Sequence, residues 1–249
     1  MAKRCNMQCN YCLRRYSCVN ESRPGVTARL LSPEEAVEHF SQVLLRIPRV
    51  SVAGIAGPGE PLANPETLET FRMLRERYPE LMLCVSTNGL LLPEAAGELK
   101  RAGVNFVTVT INALSPEAWS KVYSWVEYGG RRLTGYEGWR VHAERQWKGL
   151  EEACRMGFVV KVNTVYIPEV NGEEIPEIAR LAALAGARIH NIIPLIPVRG
   201  SRFAGMREPS AEEVERLREL CSAYLPQMRH CVRCRADAAG FLKSREACG

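Results

Sequence analysis

Long apolar runs are missing from this 249-residue chain, and the opening MAKRC has no apolar stretch of the kind a signal peptide needs. Neither a membrane span nor secretion is therefore expected, and the reading places the chain in the cytoplasm. Aromatic residues are scarce at 7%, and the basic residues behind the net charge of +5 are dispersed rather than interleaved with aromatics, which argues against a nucleic-acid surface. Of only four histidines, His39, His142 and His190 read as helix-surface or hydrogen-bonded core residues, and His230 alone stands beside cysteines. No internal repeat or low-complexity linker divides the chain. With 46% hydrophobic and 24% charged residues it has the composition of an ordinary globular protein, and its length suits one large α/β domain.

Cysteine is abundant, with ten residues. Cys5, Cys9 and Cys12 stand in C-x3-C-x2-C spacing within CNMQCNYC, and Cys18 follows six residues later. Three thiolates this close cannot all pair with one another as disulfides, but short turns let them face one metal centre. Zinc usually takes a fourth protein ligand. A [4Fe-4S] cluster held by three cysteines keeps one iron open for a small molecule. A structural zinc site stays open as the alternative. With Tyr11 just before the third cysteine, the spacing resembles the signature of radical SAM enzymes. In that superfamily S-adenosylmethionine (SAM) chelates the open iron, and an electron from the cluster breaks a carbon–sulfur bond to give a 5′-deoxyadenosyl radical.

A second cysteine group, His230-Cys231-x2-Cys234, is a half-site for zinc or iron and needs ligands from elsewhere; Cys18 and Cys84 are available. Cys154 and Cys221 sit on apolar stripes of expected helices, where a cysteine acts as a small hydrophobe. Cys248 belongs to the tail.

Around these groups the chain alternates. Ser32-Pro33-Glu34-Glu35 predicts a capped helix with apolar residues at Val37, Phe40, Leu44 and Ile47. Further helices are expected over 65–77, 93–102, 143–156 and 175–185, with a last one starting at the capping box Ser210-Ala211-Glu212-Glu213. Strands are expected over 50–56, 81–89, 106–112, 159–167 and 189–197. Residues 16–31 read as loop, and 116–139 takes no assignment. Strand alternating with helix means a parallel sheet with helical crossovers, whose sites lie at the carboxyl ends of the strands.

Strand alternation puts Met82, Cys84, Ser86 and Asn88 on one face; Thr108, Thr110 and Asn112 share a face, as do Lys161, Asn163 and Val165. Polar residues inside such a sheet normally face a ligand or water. The alternative for the asparagines is capping or turn fixing. The glycine-rich loop GPGEP, residues 57–61, follows the first buried strand and resembles the segment with which radical SAM proteins bind the amino group of SAM.

Taken in order, CNMQCNYC, CVNESRPGV, GPGEPLAN, STNGL, VTVTIN, KVNTVYIP, HNIIPLIP and HCVRCRADAAG resemble the NifB family, radical SAM maturases of the nitrogenase cofactor, over almost the whole chain. The fold this implies is an α/β radical SAM partial (β/α)6 TIM-like barrel. It forms a single domain over 1–249, whose segment 223–249 carries an auxiliary-cluster site. The implied activity fuses two auxiliary [4Fe-4S] clusters and inserts a SAM-derived carbide. Cys5, Cys9 and Cys12 would hold the SAM-binding [4Fe-4S] cluster. Tyr11, Gly57, Gly59, Glu60, Asn88, Asn112 and Asn163 would line the SAM site. Cys18 with Cys84, and Cys231 with Cys234, would each serve one auxiliary cluster, and Glu21 would ligate or carry protons beside them. Arg14, Arg15 and Arg23 would offset cluster charge. The implied partners are an iron–sulfur cluster donor, an electron donor and a carrier protein that accepts the product.

The chain departs from the family in having only MAKR before Cys5, where relatives carry a first barrel strand and further ligands, and in Leu13 and Ser17. A recorded start downstream of the true one is the expectation, with an exposed sheet edge where that strand would lie. Two other readings share the cysteines: a different radical SAM enzyme with auxiliary clusters, and a non-catalytic scaffold for zinc or clusters.

Overall fold

The computed structural model describes residues 2–13 and 30–229. Cys18, Glu21, Cys231, Cys234 and His230, with Arg14, Arg15, Arg23 and Cys248, lie outside these residues.

The chain opens with a short strand β1 (Met7–Cys9). It then alternates α1 (Pro33–Arg46), β2 (Val52–Ile55), α2 (Glu66–Arg77), β3 (Met82–Thr87), α3 (Leu92–Arg101) and β4 (Phe106–Thr110). Next come α4 (Pro116–Val122), a hairpin of β5 (Tyr123–Tyr128) and β6 (Arg131–Leu133), and the long helix α5 (Gly135–Arg155). The alternation resumes with β7 (Val159–Tyr166), α6 (Ile175–Leu184), β8 (Ile189–Pro194) and α7 (Ala211–Ser222). Five strands form one parallel sheet in the order β2-β3-β4-β7-β8, and β1-β5-β6 form a small antiparallel sheet. Beyond β8, Gln227 bridges His190 in parallel, so the segment after α7 occupies a sixth strand position. The five strands expected from the sequence are all present.

Local chemistry explains where the helices begin. Ser32 and Glu35 close a reciprocal capping box on α1, and Ser210 and Glu213 do the same on α7, each cap worth about 1 kcal/mol. The helix-facing side of the sheet carries Leu83, Val85, Val107, Val109, Val160 and Val162, all fully buried against α3, α5 and α6. Each such side chain contributes roughly 1.5–3 kcal/mol by leaving water. The opposite face carries Cys84, Ser86, Thr108, Thr110, Lys161 and Asn163, the polar set expected to point inward.

The sequence reading differs from the structure in the segment 116–139 and at the start of α5. Tyr128-Gly129-Gly130-Arg131 turns the hairpin, with φ of +59° and +73° at the two glycines, the conformation a two-residue hairpin turn demands. Helix α5 starts at Gly135, eight residues before the expected Ala143. Among the described residues no helix is long and apolar enough to cross a membrane.

Candidate metal and SAM site

The site is assembled by a seam between the first residues and the loop after β2. Gly59 N–H donates to the Ala2 carbonyl at 2.6 Å and Glu60 N–H to the Arg4 carbonyl at 2.8 Å. Asn64 completes the seam: its Oδ1 accepts from Arg4 N–H at 3.0 Å, and its Nδ2 donates to the carbonyls of Arg4 at 2.9 Å and Glu60 at 2.7 Å. GPGEPLAN is therefore a clamp that fixes the backbone immediately before Cys5.

The opposite side of the cysteine loop is sewn to the hairpin. Met7, Gln8 and Cys9 pair with Val126, Trp125 and Tyr123, with a bulge between Gln8 and Cys9. Asn10 donates its backbone N–H to the Val122 carbonyl at 2.8 Å and its Nδ2 to the Lys121 carbonyl at 2.6 Å, while its Oδ1 accepts from Ser124 Oγ. Gln8 Nε2 bridges the carbonyls of Cys9 and Cys12 at 2.8 and 3.0 Å, closing the turn.

Between these two seams lies a cavity lined by Cys5, Cys9, Cys12, Tyr11, Gly59 and Glu60, and by Ser86, Thr87, Asn88, Thr110, Tyr123 and Asn163 from strand ends and the hairpin. The three cysteines are half-buried thiols outside any disulfide. Among the described residues no three His, Cys, Asp or Glu side chains converge on the volume of a single ion. The three thiols line one cavity, and an all-cysteine soft donor set is the kind that suits an iron–sulfur cluster.

Glu60 is 3% exposed. Its Oε1 accepts from Leu62 N–H at 3.0 Å and Thr87 Oγ1 at 2.6 Å, and its Oε2 from Asn88 N–H at 2.7 Å. Burial pushes its pKa up to about 7, against the three donors, which favour the ionised form. Behind it, Trp119 Nε1 donates to His142 Nδ1 at 3.0 Å, so the His142 proton sits on Nε2 and reaches the Asn88 carbonyl at 3.1 Å. Gln146 Nε2 joins the Asn88 and Thr110 carbonyls at 2.9 and 2.7 Å. This network fixes the end of β3 from which Asn88 enters the cavity.

Tyr11, Gly59, Glu60, Asn88 and Asn163, all read as SAM-side residues, are brought together here. Gly57 and Asn112 stand off the cavity wall. Asn112 is 1% exposed and fully engaged: its Oδ1 accepts from Val165 N–H at 2.8 Å and its Nδ2 donates to the Tyr11 hydroxyl at 2.9 Å. Cys84 lies two residues below Ser86 on the same face, bonded to Thr108 and near Lys161; burial pushes its thiol pKa up, and the Lys161 charge opposes this. Cys221 is buried and its thiol is pushed up to about 12, the inert behaviour expected of it. Sequence reasoning missed Asn6, whose Oδ1 accepts from Asn88 Nδ2 at 2.7 Å, and Tyr123. Both reach the site through pairings between distant segments, which periodicity does not reveal.

The buried histidines and Glu60 give the metal-free chain a defined pH response. Burial lowers His142 and His190 to about 4, so each stabilises the fold above 6.5 and loses that contribution as pH falls toward 4. Glu60, raised to about 7, acts in the opposite sense, its contribution being full below 4.5 and lost as pH rises toward 7. Between pH 4.5 and 6.5 the unfolded chain thus binds two extra protons at the histidines and one fewer at Glu60. Unfolding free energy is expected to rise by about 2–3 kcal/mol across that window. Denaturant titrations at half-unit pH steps check this, and a flat or falling profile contradicts it.

Residues 1–182 match the family model described as the radical SAM superfamily. The chain is 47% identical to the FeMo cofactor biosynthesis protein NifB of Azotobacter vinelandii, over 97% of this chain and 49% of that protein. It is 41% identical to the protein of the same name from Methanocaldococcus infernus, over 99% of this chain and 81% of that one. The chain spans about half the length of most such relatives, the Azotobacter protein among them. Among solved structures, Streptococcus suis SuiB bound to S-adenosylmethionine superposes with a TM-score of 0.66 at 15% identity, over 91% of this chain and 48% of that one. At that identity the likeness concerns the fold.

Proposed function

The chain belongs to the radical SAM superfamily and, within it, to the NifB family, and from that premise we propose that it is an enzyme of nitrogenase cofactor biosynthesis. It holds a [4Fe-4S] cluster on Cys5, Cys9 and Cys12 and binds SAM beside it. Its substrates are two further [4Fe-4S] clusters, which it fuses around a carbide drawn from a SAM methyl group. The observation that carries the reading is that the three thiols open onto the same cavity as Glu60.

When bound, the cluster supplies the electron for reductive cleavage of SAM. The chain's own residues have narrower tasks. The two seams hold the cysteine loop rigid from both sides, which pre-organises the ligand set. Glu60, ionised above pH 7 and anchored by Leu62, Thr87 and Asn88, offers a buried negative charge to the SAM ammonium. Asn88 and Asn163 present amides for the polar parts of the ligand. Cys84, facing inward below this layer, is proposed with Cys18 as one set of ligands to a substrate cluster, and Cys231 with Cys234 as the other. Glu21 is proposed as their acid–base neighbour. Because the reaction consumes clusters and electrons and releases a cluster product, the partners are a cluster donor, a one-electron donor and a product carrier. A reducing cytoplasm is the setting such thiolates need.

The test is anaerobic incubation of the reconstituted protein with dithionite and SAM. Both 5′-deoxyadenosine and S-adenosylhomocysteine are expected, because one SAM is cleaved to the radical and another gives up its methyl group. Deoxyadenosine without S-adenosylhomocysteine indicates a different radical SAM reaction, and absence of both leaves a scaffold.

A further inference from the structure

Resting on the reading of this cavity as the SAM site, we propose that His142 and Gln146, one turn apart on α5, are positioning residues for SAM that act by clamping the Asn88 carbonyl. Neither lines the cavity. Both are buried on a helix face that otherwise carries Gly149, Leu150 and Ala153, where apolar side chains would pack with no polar atom left to satisfy. The polar pair has a target instead. Asn88 follows Thr87, the last residue of β3 paired with β4, so the sheet ladder no longer holds its carbonyl. His142 Nε2 reaches that carbonyl at 3.1 Å and Gln146 Nε2 at 2.9 Å, and the same Gln146 nitrogen donates to the Thr110 carbonyl at the end of β4 at 2.7 Å. Helix α5 thus fastens the carboxyl ends of two neighbouring strands.

The direction of the His142 bond is set by Trp119. Indole nitrogen can only donate, so its bond to Nδ1 leaves the imidazole proton on Nε2, facing Asn88. Gly89 makes the close approach possible. Its φ is +85°, and a Cβ there would lie 2.9 Å from Gln146 Cγ and 3.3 Å from Gln146 Cα, so no side chain fits between strand end and helix. The clamped residue then reaches the site in two directions. Asn88 N–H donates to Glu60 Oε2 at 2.7 Å, and Asn88 Nδ2 donates to Asn6 Oδ1 at 2.7 Å, beside Cys5. Asn88 Oδ1 accepts from Leu90 N–H at 3.0 Å, which fixes the amide face. A carbonyl freed from α5 lets the Asn88 backbone turn, and the Glu60 carboxylate and the Asn88 amide lose their alignment together. His142 and Gln146 therefore act on SAM through Asn88, without touching it.

The experiment measures SAM binding to the reconstituted holoprotein by anaerobic equilibrium dialysis without reductant, so that no cleavage is needed, alongside iron content. His142→Phe keeps a ring in the core and removes the donor, whereas His142→Gln gives up the ring and keeps a donor near the place of Nε2. Gln146→Met keeps the side-chain length and removes both of its bonds. All three should hold full iron, because the seams at Ala2, Arg4 and Asn10 are untouched. The SAM dissociation constant should rise about tenfold in His142→Phe and in Gln146→Met, as expected for losing roughly one hydrogen bond. His142→Gln should stay within about threefold of wild type. A role in core packing alone predicts the reverse order, with phenylalanine tolerated and glutamine weakened, and that order overturns the proposal. Wild-type affinity in all three variants overturns it as well, and so does iron lost in step with SAM affinity, since the clamp would then serve the cluster loop. Should His142→Phe fail to fold, Gln146→Met decides, wild-type affinity there overturning the proposal. A wild-type holoprotein that binds no SAM overturns the reading of the site together with this inference.

Discussion

Gly59→Ala is expected to cost the metal site at least half of its iron without removing a ligand. A Cβ at this position would lie 2.3 Å from the Arg4 carbonyl oxygen, 2.7 Å from that of Ala2 and 2.8 Å from the Arg4 carbonyl carbon. All three atoms are backbone, so no rotamer change relieves the overlap; the first residues have to move away from the loop. That movement breaks the bonds from Gly59 to Ala2 and from Glu60 to Arg4. It also loosens the Asn64 bridge and displaces Cys5, the next residue along. The cost to the fold is about 1–3 kcal/mol, too little to unfold a domain of this size. The cost to the site is larger, because a ligand displaced by even 1 Å loses its geometry. Iron per chain should fall by at least half, and SAM-dependent 5′-deoxyadenosine formation by about 100-fold. Gly205→Ala, where an added Cβ meets nothing within 4 Å, is the control and should match wild type. Full iron in Gly59→Ala would show that the seam does not position Cys5.

That seam illustrates what a sequence discloses and what it leaves to the fold. Capping boxes at Ser32 and Ser210 are contained within four residues, so local chemistry marked both helix starts. Buried parallel strands carry continuous apolar runs bounded by turns, and the five here stood out for that reason. The inward set of Ser86, Thr110 and Asn163 followed from alternation alone. The segment after α4 was different. A bulge opposite Gln8 breaks the two-residue period of β5, and Gly135 and Gly138 dilute the helical signal at the start of α5. The site divides in the same way. Cys5, Cys9, Cys12 and Glu60 announced themselves by spacing and by a glycine-rich loop. Tyr123 did not, because its meeting with the cysteine loop depends on a strand pairing between segments about a hundred residues apart. Asn112, read as a residue of the ligand site, has an amide that accepts from Val165 N–H and donates to the Tyr11 hydroxyl.

Replacing Cys5, Cys9 and Cys12 together by alanine should abolish SAM cleavage and remove about four irons per chain. The loss is expected to be complete because the three thiols share one cavity, and no other His or Cys among the described residues lines it to take their place. The fold should survive. Its main core lies on the helix side of the sheet, and the loop's seams run through the backbone and through Gln8, Asn10 and Asn64. The irons that remain report on the substrate clusters. If Cys84 with Cys18, and Cys231 with Cys234, hold the substrate clusters, the wild type should bind about eight to twelve irons and the triple variant should keep roughly four to eight. Adding Cys84→Ala to the triple variant should then remove about four more, since a cluster that loses an inward-facing thiolate beneath Ser86 has no described cysteine within the same layer to replace it. A wild type with only four irons, all lost in the triple variant, would mean that this chain carries the SAM-cleaving centre alone and that the ligands for the substrate clusters come from outside it.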